Sequence, residues 1–225
     1  MTVALDGIEL ATGRHPDAAV IVLHGLGADG NDFVPIAQEL DLDAVGDVRF
    51  VFPHAPEIPV TINGGYRMRA WYDIVGADLV RREDEAGLRQ SQARVAALID
   101  RERERGIEAK RIVLMGFSQG CAMALMTGLR YPERLAGLVG LSGYLPLAAT
   151  LAAERHPANG DVPIFLAHGS ADPVVPIDRA EKSRDALVAL GYPVEWHDYP
   201  MPHSVCAEEV ADLSRWLGRQ LHRSS

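Results

Sequence analysis

Cysteine is scarce: the 225 residues hold two, Cys121 and Cys206. Two thiols give neither a disulfide framework nor a metal-ligand spacing, which excludes a cystine-stapled scaffold and points to a reducing, cytoplasmic setting. Positive charge is also in deficit, with 22 Lys and Arg against 31 Asp and Glu and a formal net charge of −9. A chain of that sign has no electrostatic reason to bind nucleic acid or an anionic membrane surface. Unbroken apolar runs of membrane length are missing as well. The longest uncharged stretch, 135–153, is interrupted by Gly137, Gly140, Ser142, Gly143 and Pro146, so it reads as a buried strand followed by a loop. Residues 1–17 carry neither a basic start nor an apolar centre, so no secretory signal is expected. Internal repeats and low-complexity segments are absent.

What is present is a composition of 48% hydrophobic and 24% charged residues, at a length that suits one α/β domain over 1–225. Short apolar runs at 19–24, 49–53, 111–116, 138–142, 164–168 and 194–199, mostly bounded by Gly, Pro or Asp, read as strands. The inner ones are continuous enough to be buried on both faces. Helical patterns cover about 84–105, 119–131, 179–190 and 207–217, closed by Gly106, Pro132 and Gly191 where the chain supplies a breaker. Strands alternating with helices imply a mainly parallel sheet covered on both sides. Residues 3–10, with Asp6-Gly7 in the middle, suit an edge hairpin or strand. The charged run Arg101-Glu102-Arg103-Glu104-Arg105 alternates in sign and reads as a solvated helix end. Residues 54–82 lack periodicity, and a loop that long in a compact domain is usually functional.

The chemistry centres on Gly116-Phe117-Ser118-Gln119-Gly120, which follows one strand and opens a small-residue helix. A serine at a sharp strand-to-helix turn needs neighbours without bulk, and glycines two residues before and after supply the room. Ser118 is therefore the candidate nucleophile, with the Gln119 N–H and the helix N-terminus aimed at any oxyanion that forms beside it. Such a serine needs a base and an acid to orient that base, in the chain order Ser, Asp or Glu, His. Asp172, just past the strand 164–168, is the candidate acid; Asp178 is the runner-up and reads better as a helix cap. Three histidines follow Asp172. His197 falls inside a strand and His222 in the charged tail, whereas His203, stiffened by Pro200 and Pro202, follows the last strand and is the candidate base.

A second oxyanion donor is expected where the strand 19–24 ends, in His24-Gly25-Leu26-Gly27-Ala28-Asp29-Gly30, with the Leu26 backbone N–H as the donor. The same segment satisfies G-x-G-x-x-G, the dinucleotide fingerprint. A dinucleotide fold wants an acid at the end of the next strand, and that strand ends in Phe52-Pro53-His54. The nucleotide reading also leaves the serine turn unexplained.

Together, His24-Gly25-Leu26-Gly27, Pro53-His54-Ala55-Pro56, Pro59-Val60-Thr61-Ile62-Asn63, Trp71-Tyr72-Asp73-Ile74, Gly116-Phe117-Ser118-Gln119-Gly120 and Ser142 with Leu145-Pro146-Leu147 resemble the phospholipase/carboxylesterase family over about 18–217. That family comprises small bacterial carboxylesterases and eukaryotic acyl-protein thioesterases. The resemblance implies an α/β-hydrolase fold without a separate cap domain, needing no cofactor or metal. It implies cleavage of short- to medium-chain carboxylic esters by Ser118, His203 and Asp172, with acyl-protein thioesterase or lysophospholipase activity as the alternative. It also makes Trp71 a candidate wall of the acyl site, against its reading as a core anchor for the 54–82 loop. Cys121 departs from the family, which usually carries glycine there, and it is not read as a nucleophile. Leu26-Gly27-Ala28-Asp29 follows the bacterial esterase pattern. The expected partner is a small-molecule ester or thioester, with no stable membrane insertion and with a homodimer left open. A hydrolase-fold protein that only binds a small hydrophobic ligand is the reading from another class.

Overall fold

The structure, a computed structural model, describes residues 5–76 and 83–222. Its elements in chain order are β1 (Gly7–Ala11), β2 (Ala18–Leu23), α1 (Val34–Glu39), β3 (Val48–Pro53), β4 (Glu57–Val60), β5 (Tyr66–Arg69), α2 (Glu85–Glu104), β6 (Ile112–Phe117), α3 (Gln119–Gly128), β7 (Gly137–Leu141), α4 (Ala148–Glu154), β8 (Ile164–Gly169), α5 (Ile177–Ala189), β9 (Val194–Tyr199) and α6 (Ala207–Gln220). Seven strands form one sheet in the order β1-β3-β2-β6-β7-β8-β9. Only the edge pair β1·β3 is antiparallel. The mainly parallel sheet expected from the sequence is the one observed.

Strand β2 shows why these sequences sit at the centre. All six of its residues are buried, and they alternate between two cores. Ala19, Ile21 and Leu23 pack with α2 and α3 residues such as Leu88, Val95 and Leu125, while Ala18, Val20 and Val22 pack with Leu213, Trp216 and Leu217 of α6. A strand covered on both sides has no reason to alternate in polarity, hence its continuous apolar run. Helix α2 starts on Asp84, whose carboxylate accepts from the Gly87 N–H at 3.0 Å, and it stops at Gly106 in the left-handed region, φ 95°.

Of the hairpin or edge strand expected over 3–10, the strand is the form present, as β1 from Gly7 to Ala11 at the sheet edge; residues 3 and 4 lie outside the described residues. Gly7 lies in the ladder itself, where an added Cβ would come within 2.5 Å of the Phe52 carbonyl oxygen. Several elements differ from the sequence reading. The 54–82 loop contains the antiparallel hairpin β4–β5, turned through Gly64 and Gly65 at φ 67° and 78°; residues 77–82 of that loop lie outside the described residues. Its strands are four residues each and one contains Pro59, too little chain for a periodic signal. Helices α1 and α4, of six and seven residues, escaped for the same reason. The run 101–105 is only partly solvated, because Glu102 is fully buried and takes the Arg49 guanidinium at 2.8 Å. Among the described residues, no helix is long and apolar enough to cross a membrane.

Candidate active site

The carboxyl ends of β6, β8 and β9 lie on one edge of the sheet, and each carries one of the residues the sequence singles out. Ser118 sits between β6 and α3 with φ 54° and ψ −116°, a conformation that costs a non-glycine residue about 1–3 kcal/mol. The neighbours enforce it. The Ser118 N–H donates to the Leu141 carbonyl at 2.8 Å. A Cβ on Gly116 would lie 2.1 Å from the Gly120 oxygen, and one on Gly120 would lie 2.0 Å from the Leu23 oxygen. The two glycines are thus required by close backbone approach on either side of the bend. The turn holds the serine partly exposed while every residue of α3 behind it is buried.

Asp172 and His203 meet on the loops after β8 and β9. The His203 Nδ1–H donates to Asp172 Oδ2 at 2.7 Å, with the carboxylate buried and the imidazole 16% exposed. The other carboxylate oxygen, Oδ1, accepts from the Val174 and Val175 amides at 2.8 and 2.9 Å. The two loops are laced together by Ser170 N–H to Tyr199 O at 2.8 Å and Ala171 N–H to Met201 O at 3.2 Å. The His203 ring packs against Phe117, centroids 4.8 Å apart, which sets it beside the residue that precedes Ser118.

The loop after β2 comes to the same point. A Cβ on Gly25 would lie 3.4 Å from Ser118 Cβ, so the Gly25–Leu26 backbone runs directly past the serine. Among the described residues, neither the Leu26 nor the Gln119 amide has an acceptor within the protein. The loop is pinned by Gly27 N–H to Arg69 O at 2.9 Å and by His24, whose Nε2 accepts from the Ala55 amide at 3.0 Å and whose Nδ1–H donates to Gly25 O at 2.7 Å. Those two bonds fix a neutral tautomer, and burial lowers the His24 pKa. The glycine-rich segment does not open a helix as a dinucleotide loop would, since α1 starts only at Val34 and has six residues.

Trp71 is placed as an anchor. Its indole is 1% exposed and donates to His24 O at 2.9 Å, while its amide donates to Gln119 Oε1 at 2.8 Å. Gln119 Nε2 returns a bond to Tyr72 O at 2.8 Å, so the side chain behind the elbow clamps the 71–72 backbone. The surface beside the oxyanion loop comes instead from the hairpin. A groove of about 550 Å³ is lined by Gly27 and Ala28 on one side and by Tyr66, Arg67 and Met68 on the other. The sequence reading missed these residues because only the hairpin pairing brings 66–68 to that place.

The set-aside residues fall elsewhere. Asp178 is in the first turn of α5, whose N-cap is Pro176, and pairs with Lys182 at 2.9 Å on the surface; that hydrogen bond lowers its pKa. His197 stacks on Phe165 and contacts Glu195 at 3.2 Å, and His222 is exposed at the end of the described chain. Burial pushes the Cys121 thiol up to about 12, which leaves it inert as a nucleophile. One further group at the site went unread: His168, near the end of β8 and four residues before Asp172, contacts the same carboxylate oxygen at 3.3 Å. Its i,i+4 spacing from Asp172 is visible in the sequence, but a strand-end histidine with an apolar neighbourhood carries no chemical signal by itself.

The sheet order and the cluster at its carboxyl edge define an α/β-hydrolase. The family profile described as Phospholipase/Carboxylesterase matches residues 8–221, so the chain belongs to that family. It is 43% identical over 220 residues to acyl-protein thioesterase 1 of Neurospora crassa, covering 94% of this chain and 89% of that one. It is 42% identical over 205 residues to acyl-protein thioesterase 1 of Yarrowia lipolytica, covering 89% and 90%. Among solved structures, that of Zea mays acyl-protein thioesterase 2 superimposes with a TM-score of 0.84 at 32% identity, covering 96% of this chain and 100% of that one.

Proposed function

We propose that the protein is a single-domain serine hydrolase that cleaves acyl esters and thioesters through a covalent acyl-enzyme. Ser118 loses its proton to His203 Nε2 as Oγ attacks the acyl carbon. The Leu26 and Gln119 amides, lacking internal acceptors, take the developing oxyanion, and Asp172 holds His203 in the tautomer that leaves Nε2 free. His203 then protonates the leaving alcohol or thiol, and water repeats the sequence to release the acid. The observation that carries this reading is the 2.7 Å Asp172–His203 bond on loops laced together next to the strained Ser118 turn.

Two leaving-group classes compete. The Leu26-Gly27-Ala28-Asp29 segment favours oxygen esters, whereas the names and 42–43% identity of the fungal relatives favour thioesters. We give thioesters the greater weight, because the likeness extends over nearly the whole chain. A cytoplasmic location is the one the two free thiols suit. No cap covers the site in this reading, so rates follow dissolved substrate without a jump at its solubility limit. An acyl-chain series run as matched oxygen esters and thioesters tests the proposal. A higher kcat/KM for thioesters at short to medium chain length is expected. No hydrolysis of either series would overturn it in favour of a ligand-binding role.

A further inference from the structure

Asp172 carries a carboxylate with no exposed surface, and its two oxygens are held differently. Oδ1 accepts from two backbone amides of its own loop. Oδ2 accepts the His203 proton and is met from the other side by His168 Nε2 at 3.3 Å. We infer that His168 is a positioning residue for the proposed reaction: its Nε2–H holds the Val175 carbonyl, the Val175 amide binds Asp172 Oδ1, and the same nitrogen lies 3.3 Å from Asp172 Oδ2. This rests on the triad reading above.

The geometry settles which nitrogen of His168 carries the proton. Nε2 faces two groups that only accept, the Val175 carbonyl at 2.8 Å and Asp172 Oδ2, so Nε2 must donate. Among the described residues the buried Nδ1 has no partner, so a proton there would be left unpaired, which favours the neutral ring with its one proton on Nε2. Burial is the main influence on this ring and lowers its pKa, against opposing effects from the Val175 carbonyl, Asp172 and Glu181; His203 pushes in the same direction as burial. Nε2–H is therefore bonded to the Val175 carbonyl at 2.8 Å, and Asp172 Oδ2 lies 3.3 Å from the same nitrogen as an electrostatic contact.

The place of His168 in the fold gives the Val175 bond its use. His168 belongs to β8, paired with β7 and β9 in the body of the sheet, whereas Asp172 and Val175 ride on the loop beyond it. The next residue, Gly169, packs so closely on the His203 loop that an added Cβ would lie 2.4 Å from the Met201 and Pro202 oxygens. His168 is therefore the tie between a rigid strand and the acid, and placement of reacting groups by rigid elements is what fixes their geometry.

The test uses the full chain, with p-nitrophenyl butyrate as substrate and near-ultraviolet circular dichroism as the check of folding. His168→Leu keeps the bulk and removes the donor; His168→Gln returns an N–H near the Nε2 position. We expect His168→Leu to lower kcat about 10- to 100-fold with little change in KM, and His168→Gln to recover most of the loss. With the nearby Nε2–H dipole gone, Oδ2 has more negative charge to offer the His203 imidazolium, so the acid limb of the pH–kcat/KM profile should move to higher pH. In an Asp172→Asn background the His168→Leu penalty should largely vanish. If the leucine variant fails to fold, His168→Asn against His168→Gln makes the same comparison, because the asparagine amide is one methylene too short to replace the Nε2–H at the Val175 carbonyl. A folded donor-less variant with unchanged kcat and unchanged acid limb would overturn the inference. So would a His168→Leu penalty that persists in full in the Asp172→Asn background. If Asp172→Asn alone keeps turnover within tenfold, the triad reading itself fails, and this outcome is distinct from a silent His168.

Discussion

The two halves of the candidate site are held by different physics. Ser118 is held by volume: backbone passes within van der Waals range of Gly116 and Gly120, and nothing larger than hydrogen fits. Asp172 and His203 are held mainly through hydrogen bonds between polar groups on two loops, with Phe117 packed on the imidazole. Steric constraints of the first kind cannot relax without moving a strand or a helix, so damage there should appear as lost stability. Hydrogen bonds of the second kind can be removed one at a time, so damage should appear as lost rate in a folded protein.

The largest effect that contrast predicts is on turnover. Ser118→Ala should lower kcat by about 10⁶-fold while unfolding at nearly the same urea concentration as the parent. Comparable loss of stability would mean that the hydroxyl also holds the turn. Asp172→Asn should cost about 10⁴-fold in kcat, since the amide favours the wrong imidazole tautomer, and circular dichroism should show the fold retained. Gly120→Ala should behave oppositely, destabilising the fold by about 3 kcal/mol or more through collision with the Leu23 carbonyl. Unfolding midpoints measure it, and an unchanged midpoint would show that α3 can slide away from β2.

A smaller effect lies just beyond the His203 loop. Glu209, in the first turn of α6, is fully buried, and burial raises it from 4.5 to about 8 against a smaller opposing effect of the Cys206 amide. The folded chain keeps a proton that the unfolded chain releases, so this group's contribution to stability is greatest below pH 4.5 and falls as pH rises to about 8. Glu209→Gln should flatten that decline and raise Tm at pH 9 by roughly 4 °C or more relative to the parent. Smallest of all, Asp178→Asn removes an exposed pair with Lys182 and should leave turnover within about twofold. A large loss there would move the acid from one side of the loop to the other.

How much of this the sequence revealed follows the same division. Steric requirements leave marks at short range: glycines two residues either side of Ser118, an apolar strand before it and a small-residue helix after it. Order along the chain was enough to bring Asp172 and His203 together, because a parallel sheet places successive strand ends on one edge. Hydrogen-bond partners from distant segments leave no such mark. Trp71 and Gln119 are 48 positions apart yet clamp each other, and only the fold shows that Trp71 is spent on that clamp while Tyr66 and Met68 face the groove. Glu102 of α2 was misjudged for the same reason, since its partner Arg49 lies far off in sequence on β3. His168 is the intermediate case, close to Asp172 in sequence but given meaning only by the direction of its ring nitrogen.

The central claim is that acyl groups pass through Ser118. Rapid acid quenching during turnover of a slowly hydrolysed thioester, followed by peptide mass spectrometry, tests it most directly. The account predicts the acyl mass on the peptide containing Ser118 and on no other serine. Turnover with the acyl group on Ser142 or Ser170, or with no covalent adduct at any time, would contradict it.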